Sequence, residues 1–343
     1  MARATAPYFK LKENMKYLIL KTTDPNINLA TEEYLFENAN DDIFMLWQND
    51  NTVVIGKNQN AYAEVDIDLL EKNKISLVRR ITGGGAVYHD LGNVNYTFIS
   101  SRKSEGTLDF AYFTAPIIDA LHSLGIEATL SGRNDLLCNG KKFSGNAQHA
   151  NEKRVLHHGT LLFNSDLSVL SGVLKVDPEK IASKAISSTK SRVTNLKNEI
   201  ARDIDATEFM LLILEHVKKK YSAEEIEPPS FDDIKDLYAR YSSREWIYSD
   251  KKYLTEYTVR MKKRHPFGIV DMCLDLSADI IKAIRISGDF FGTKPTEVLE
   301  ELLVGCPYRE NDIMNILSCV DISEYIFGMD NATFVEHILR GEK

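Results

Sequence analysis

The sequence predicts an α+β fold in two domains, and three observations carry that prediction. The chain has 343 residues, roughly twice what one ordinary domain needs. Strand-like and helical runs are mixed, without the strict βα alternation of a purely parallel sheet. Near residue 260 the run RMKKRHP joins a block of charge to a proline, after which a fresh pattern of strands and helices begins. The expected organisation is a leader over residues 1–14, disordered or extraneous, a large domain over 15–255 and a small α+β domain over 262–343.

The elements follow in order. KYLILK (16–21) reads as a strand, and Asp24-Pro25-Asn26 breaks it before a helix through Leu29, Ala30, Tyr34 and Leu35. Short apolar runs at 43–47 and 52–55, a helix near 66–72 and a strand at 76–80 come next. Gly83-Gly84-Gly85 separates that strand from another at 86–88, and Gly92-Asn93 turns into a strand at 95–100. A helix over 107–124 should end at Gly125, a residue suited to a left-handed terminator. Asn139-Gly140 lies between two strand-like arms, a strong signal for a two-residue hairpin. Beyond a strand at 155–163, helical spacing returns at 177–185, 206–219 and 231–241. The last part reads as strands at 269–276 and 280–286 and helices at 296–304, 310–319 and 333–339.

Composition excludes several classes. Lys+Arg 42 against Asp+Glu 50 gives a formal charge of −8, so no excess positive field exists to hold a nucleic-acid backbone. An anionic substrate must therefore meet locally placed cations. The four cysteines, Cys138, Cys273, Cys306 and Cys319, form no CxxC pair, which disfavours a zinc ribbon or a disulfide framework and suits a reducing cytosol. No apolar run is long enough to span a bilayer, so a cytoplasmic protein with no membrane partner is expected.

Three segments carry chemistry. In RRITGGGAVYHDLGNVN (79–95), consecutive glycines remove every Cβ, so a ligand can lie against the backbone and meet its N–H groups. Arg80 offers a forked donor before the loop, and His89-Asp90 add polar groups after it. The spacing fits neither GxGxxG nor GxxxxGK[ST]. Lys142 follows the hairpin turn and precedes a small polar run, FSGNAQ, that admits a ligand closely. His157 and His158 are adjacent in a strand and must face opposite sides, so they cannot share one metal. Cys138 is flanked by apolar residues and reads as core, and no GxSxG elbow for a serine hydrolase is present.

Together RRITGGGAVYHDLGNVNYTF (79–98), SGRNDLLCNGKKFSGNAQ (131–148) and HHGTLLFNSDL (157–167) resemble the lipoate-protein ligase family. NINLATEEYLF (26–36) and SSTKSRVTNL (187–196) resemble it too, so the likeness runs from about residue 15 to the C-terminus. It implies a mixed-sheet catalytic domain similar to that of biotin and lipoate protein ligases, followed by a small accessory domain. It also implies activation of lipoate by ATP to lipoyl-AMP, with Mg²⁺ as counter-ion. The acyl group then passes to a lysine of a lipoyl domain of a 2-oxoacid dehydrogenase, or of the glycine-cleavage H protein. By motif position, Arg80, Gly85, Ala86, Val87 and Tyr88 would hold ATP, and Lys142 would touch both the lipoate carboxyl and the α-phosphate. No metal ligand is assigned, Asp135 being the nearest carboxylate. Three alternatives remain open: a cysteine-dependent lipoyl or octanoyl transferase on the same fold, a biotin ligase, and an inactive lipoyl-adenylate sensor or chaperone.

Overall fold

The computed structural model describes residues 14–102, 108–175, 193–249 and 257–340. The leader, the expected helix at 177–185 and most of SSTKSRVTNL lie outside the described residues. The chain forms two compact units. The first comprises 1–53, 68–78 and 87–242, and the second 54–67, 79–86 and 243–343.

The first unit is built on an eight-stranded mixed sheet. Its strands are β1 (Lys16–Ile19), β2 (Ile43–Trp47), β6 (Asn93–Ser101), β7 (Ala128–Ser131), β8 (Asp135–Cys138), β9 (Lys141–Ala150), β10 (Arg154–Leu162) and β11 (Glu224–Glu225). Their order is β11-β1-β2-β6-β10-β9-β8-β7. Strands β3 (Thr52–Ile55), β4 (Ser76–Arg79) and β5 (Val87–His89) form a separate sheet in the order β4-β3-β5. Helix α1 (Pro25–Asn38) starts where Asp24 accepts hydrogen bonds from the backbone N–H of Asn26 and Ile27, the usual way of meeting the orphan donors of a first turn. Helix α2 (Ala61–Glu64) follows in the chain but belongs to the second unit, and α3 (Ile67–Lys72) lies almost wholly in the first. Helix α4 (Phe110–Ser123) ends as expected: Gly125 has φ +82° and its N–H bonds back to His122 O at 3.0 Å. Asn139 and Gly140 both take positive φ, 51° and 74°, which the hairpin turn between β8 and β9 requires. Helices α5 (Leu167–Val173), α6 (Ala206–Tyr221) and α7 (Phe231–Tyr241) complete the unit.

The second unit holds α8 (Arg244–Tyr248) and an antiparallel sheet of β12 (Val259–His265), β13 (Gly268–Ser277) and β14 (Ile280–Gly288). Helices α9 (Thr296–Leu303), α10 (Glu310–Ile316) and α11 (Asn331–Leu339) pack with that sheet around Met272, Ile284, Phe290 and Phe334. One expectation is corrected here. The charge run at Arg260 is no connector, because it forms the body of β12. Val259 and Met261 turn inward, 1% and 5% exposed, while Arg260 turns outward and forks onto Asp271 at 2.9 and 2.6 Å. Charge on the outer face concealed a period-two strand.

Candidate active site

Strand register divides the large sheet into two faces. Gly159 of β10 stands opposite Tyr96 of β6 and Asn146 of β9, and His157 opposite Phe98 and Gln148. These residues share the face that packs on α4. His157 is fully buried, its ring stacked on Phe113 at 5.3 Å, and burial pushes its pKa well below the ordinary value. Cys138 belongs to this core at 2% exposure, and burial raises its thiol pKa. The core reading of this cysteine holds.

The opposite face carries the polar groups. Here Asn95, Thr97, His158, Thr160, Ala147 and Gly145 follow one another across β6, β10 and β9. The split of His157 and His158 to opposite faces is therefore as the strand period requires. Helix α1 supplies Glu32 to this side, 1% exposed, which accepts from Thr97 Oγ1 at 2.6 Å and lies 2.9 Å from His158 Nδ1. Its neighbour Glu33 accepts from Tyr241 Oη at 2.6 Å and pairs with Arg240, fastening α1 to α7. A cluster of buried amides continues the surface. Asn28 Nδ2 donates to Asn49 Oδ1 at 2.9 Å, and Asn49 Nδ2 stands 3.1 Å from His89 Nδ1. Asp90 instead ties its own turn, accepting from the N–H of Gly92 and Asp166.

Lys142, at the start of β9, reaches the same face. Its ammonium pairs with Asp135 Oδ1 at 2.7 Å, and both side chains are 38% exposed. Lys141 is exposed, with no ion pair recorded among the described residues. The Lys142 side chain lies against Gly145, which has no side chain of its own to hold it off the strand. Among the described residues no three His, Cys, Asp or Glu side chains come together as a metal cage.

The remaining sequence-derived residues sit on the glycine segment. The three glycines differ in their surroundings. Gly83 and Gly84 are buried: a Cβ on Gly83 would lie 2.3 Å from Phe290 O, and Gly84 has φ +92° with the Phe291 ring 3.1 Å from where its Cβ would be. Gly85 is exposed, and a Cβ there would meet nothing within 4 Å. Arg80, 6% exposed, donates from its guanidinium to Thr82 Oγ1 and to the carbonyls of Val54, Gly83 and Gly85. Its bonds thus shape the loop. Ala86 and Val87 are half-buried, and Tyr88 is buried with its hydroxyl donating to Asn51 Oδ1 at 3.0 Å.

Sequence reasoning missed Arg79, Glu32 and the bulge in β9. Arg79 is 1% exposed and donates to the carbonyls of Gly56, Lys57, Gln59, Trp246 and Ile247, at 2.6 to 3.1 Å. Trp246 Nε1 returns a bond to Arg79 O at 2.8 Å. The local signal was an arginine inside a strand, where burial must be matched by acceptors.

Comparison with known proteins agrees with this geometry. Residues 24–218 match the family described as the lipoyl protein ligase A/B catalytic domain, and residues 255–338 match the bacterial lipoate protein ligase C-terminus. Lipoate-protein ligase LplJ of Bacillus subtilis is 37% identical over 325 residues, covering 92% of this chain and 97% of that protein. A crystal structure of lipoate-protein ligase A bound with ATP superposes with TM-score 0.56 at 26% identity, over 69% of this chain and 99% of that one. The bipartite lipoate protein ligase of Thermoplasma acidophilum, studied with its E2 lipoyl domain, gives TM-score 0.60 at 28% identity, over 72% and 100%. Since the catalytic family match alone spans more than half of the chain and a lipoate-protein ligase is 37% identical over most of both lengths, the chain belongs to the lipoate-protein ligase family.

Proposed function

We propose that this ligase uses Lys142 as the fixed cation of an adenylation site. Lipoate's carboxylate must attack the α-phosphorus of ATP, and two anions approach one another. An ammonium between them offsets the repulsion and stabilises charge as the carboxylate–phosphorus bond forms and the bond to pyrophosphate breaks. The product, lipoyl-AMP, is a mixed anhydride. A neutral lysine amine of the acceptor then attacks its acyl carbon, AMP leaves, and the amide forms. The observation that carries this reading is the Lys142 ammonium lying beside Gly145 on the polar face of the sheet.

The ATP-binding set is read as Arg80, Gly85, Ala86, Val87, Tyr88 and Lys142. Gly85 supports it through its open Cβ position, and Arg80 through the bonds that hold the loop in shape. Mg²⁺ enters as the counter-ion of ATP. Acceptors are lipoyl domains of 2-oxoacid dehydrogenases or the glycine-cleavage H protein, and the setting is cytoplasmic. Four free cysteines fit that setting. We read 15–255 as the catalytic domain and 262–343 as the accessory domain, although by contacts 79–86 group with the C-terminal unit.

The decisive assay is pyrophosphate release from free lipoate, ATP and Mg²⁺, followed by acyl transfer to apo acceptors. A transferase would need an acyl-protein donor and a thiol. Cys138 is buried among apolar residues, so Cys138→Ser should keep ATP-dependent ligation per folded molecule. An acyl-enzyme on Cys138 that chases into acceptor would sink the ligase reading.

A further inference from the structure

The second half of the β8–β9 hairpin is irregular at the residue that matters. Asp135 pairs with Gly145 and Leu136 with Ser144, but Leu137 then pairs with Lys142 and Cys138 with Lys141. Phe143 is the extra residue of a β-bulge, and its side chain is fully buried in the core. In a regular strand Lys142 and Gly145, three apart, would face opposite sides. The bulge turns them to one side. A Cβ built on Gly145 would lie 3.2 Å from Lys142 Nζ and 3.4 Å from its Cε. Asp135, directly across from Gly145, then meets the ammonium at 2.7 Å. The backbone of Lys142 is held as well, since Thr194 N–H donates to its carbonyl at 2.9 Å and Val193 bridges to it.

We propose that Asp135 is a positioning residue for Lys142, folding its ammonium back across β9 into the space that Gly145 leaves open. This rests on the adenylation role of Lys142 proposed above. A lysine ammonium has three N–H donors. With one directed at Asp135, two remain for the two anions that adenylation must bring together, a substrate carboxylate and an α-phosphate. A long flexible side chain otherwise spreads over many rotamers, and freezing it costs free energy in each turnover. Asp135 moves that cost into folding. Because the pair is half-exposed, the carboxylate screens the ammonium only in part, and the approaching anions retain their attraction. Asp135 accordingly acts through Lys142 rather than on substrate.

The test is steady-state pyrophosphate release with lipoate and ATP varied, for the full chain and for Asp135→Ala, Asp135→Asn, Gly145→Ala and Lys142→Ala. Circular dichroism and the melting temperature are checked for each. A misplaced catalytic group costs on the order of 10- to 100-fold in rate, so Asp135→Ala should lose that much in kcat with both KM values nearly unchanged. Asp135→Asn keeps an acceptor oxygen and should recover most of the loss. Gly145→Ala, whose methyl displaces the ammonium by only a few tenths of an ångström, should lose several-fold in kcat and hold the melting temperature. That variant also carries the test if Asp135→Ala fails to fold. Wild-type kcat in folded Asp135→Ala, or an effect confined to KM, overturns the proposal, as does an Asn variant no better than Ala. Normal pyrophosphate release by Lys142→Ala would instead refute the adenylation reading itself. Loss in Lys142→Ala with no loss in Asp135→Ala refutes only the positioning role.

Discussion

The hairpin of β8 and β9 and the glycine loop at 79–86 solve opposite problems. On the hairpin, the reactive group is a half-exposed side chain steered by one ion pair, and the core beneath it is closed by Phe143 and Cys138. In the glycine loop the interior contacts are made by backbone, with Gly83 and Gly84 pressed against Phe290 and Phe291 and two arginines satisfied by carbonyls. The hairpin can lose its chemistry without losing its fold. The loop cannot be altered at its buried positions without loosening the body it belongs to.

The sharpest break of this contrast is Arg79→Ala, which strands several buried carbonyls at once. It should cost about 3–5 kcal/mol of stability, read as a fall in the urea midpoint, and any loss of activity should follow the unfolded fraction. Unchanged stability would mean that Arg79 does not hold the second unit together. Lys142→Ala makes the mirror case. Pyrophosphate release should fall by about 10²–10³ while stability moves by no more than about 0.5 kcal/mol, and equal losses in both would erase the contrast.

Acid should destabilise the second unit through His337. Burial, aided by neighbouring His265, lowers the pKa of His337 to about 4 from an ordinary value near 6.5. Its folded pKa lies below the unfolded one, so the unfolded chain takes up the proton earlier. Stability is full above about pH 6.5 and declines as the pH falls toward 4, by roughly 2–3 kcal/mol. Urea midpoints across that range should show less acid sensitivity in His337→Gln than in the parent, and identical slopes would remove His337 as the cause. The smallest effect sharpens the glycine loop itself. Gly84→Ala places a methyl at positive φ against Phe291 and should cost about 1–2 kcal/mol. Gly85→Ala should leave stability within about 0.5 kcal/mol and weaken ATP binding instead, measured by titration; reversed behaviour would exchange the tasks assigned to the two glycines.

Much of this was legible because it is local. Asn139-Gly140 and Gly125 announced their turns through positive φ that few residues tolerate. The cysteine at 138 read as core from its neighbours, and alternate facing of His157 and His158 followed from the strand period alone. What escaped depends on partners distant in sequence. Glu32 meets His158 across 126 positions, and Arg79 meets Ile247 across 168. Periodicity says that such residues are buried, never which atoms will satisfy them. The strand at 259–265 escaped for another reason, since four basic residues on seven positions looked like a solvated junction.

The sequence by itself determined the α+β class, the family resemblance, the hairpin that presents Lys142 and a glycine loop with little side-chain cover. Those properties follow from short-range sterics and from residue identities at fixed spacing. Only the tertiary structure decided which way Lys142 faces, because that depends on a bulge whose extra residue, Phe143, is drawn into a core assembled from strands and helices far apart in the chain. It also decided that Gly83 and Gly84 pack against Phe290 and Phe291 while Gly85 stays open. Burial and hydrogen-bond satisfaction are settled by all neighbours at once, and a strand's own residues carry no record of what will lie across from them.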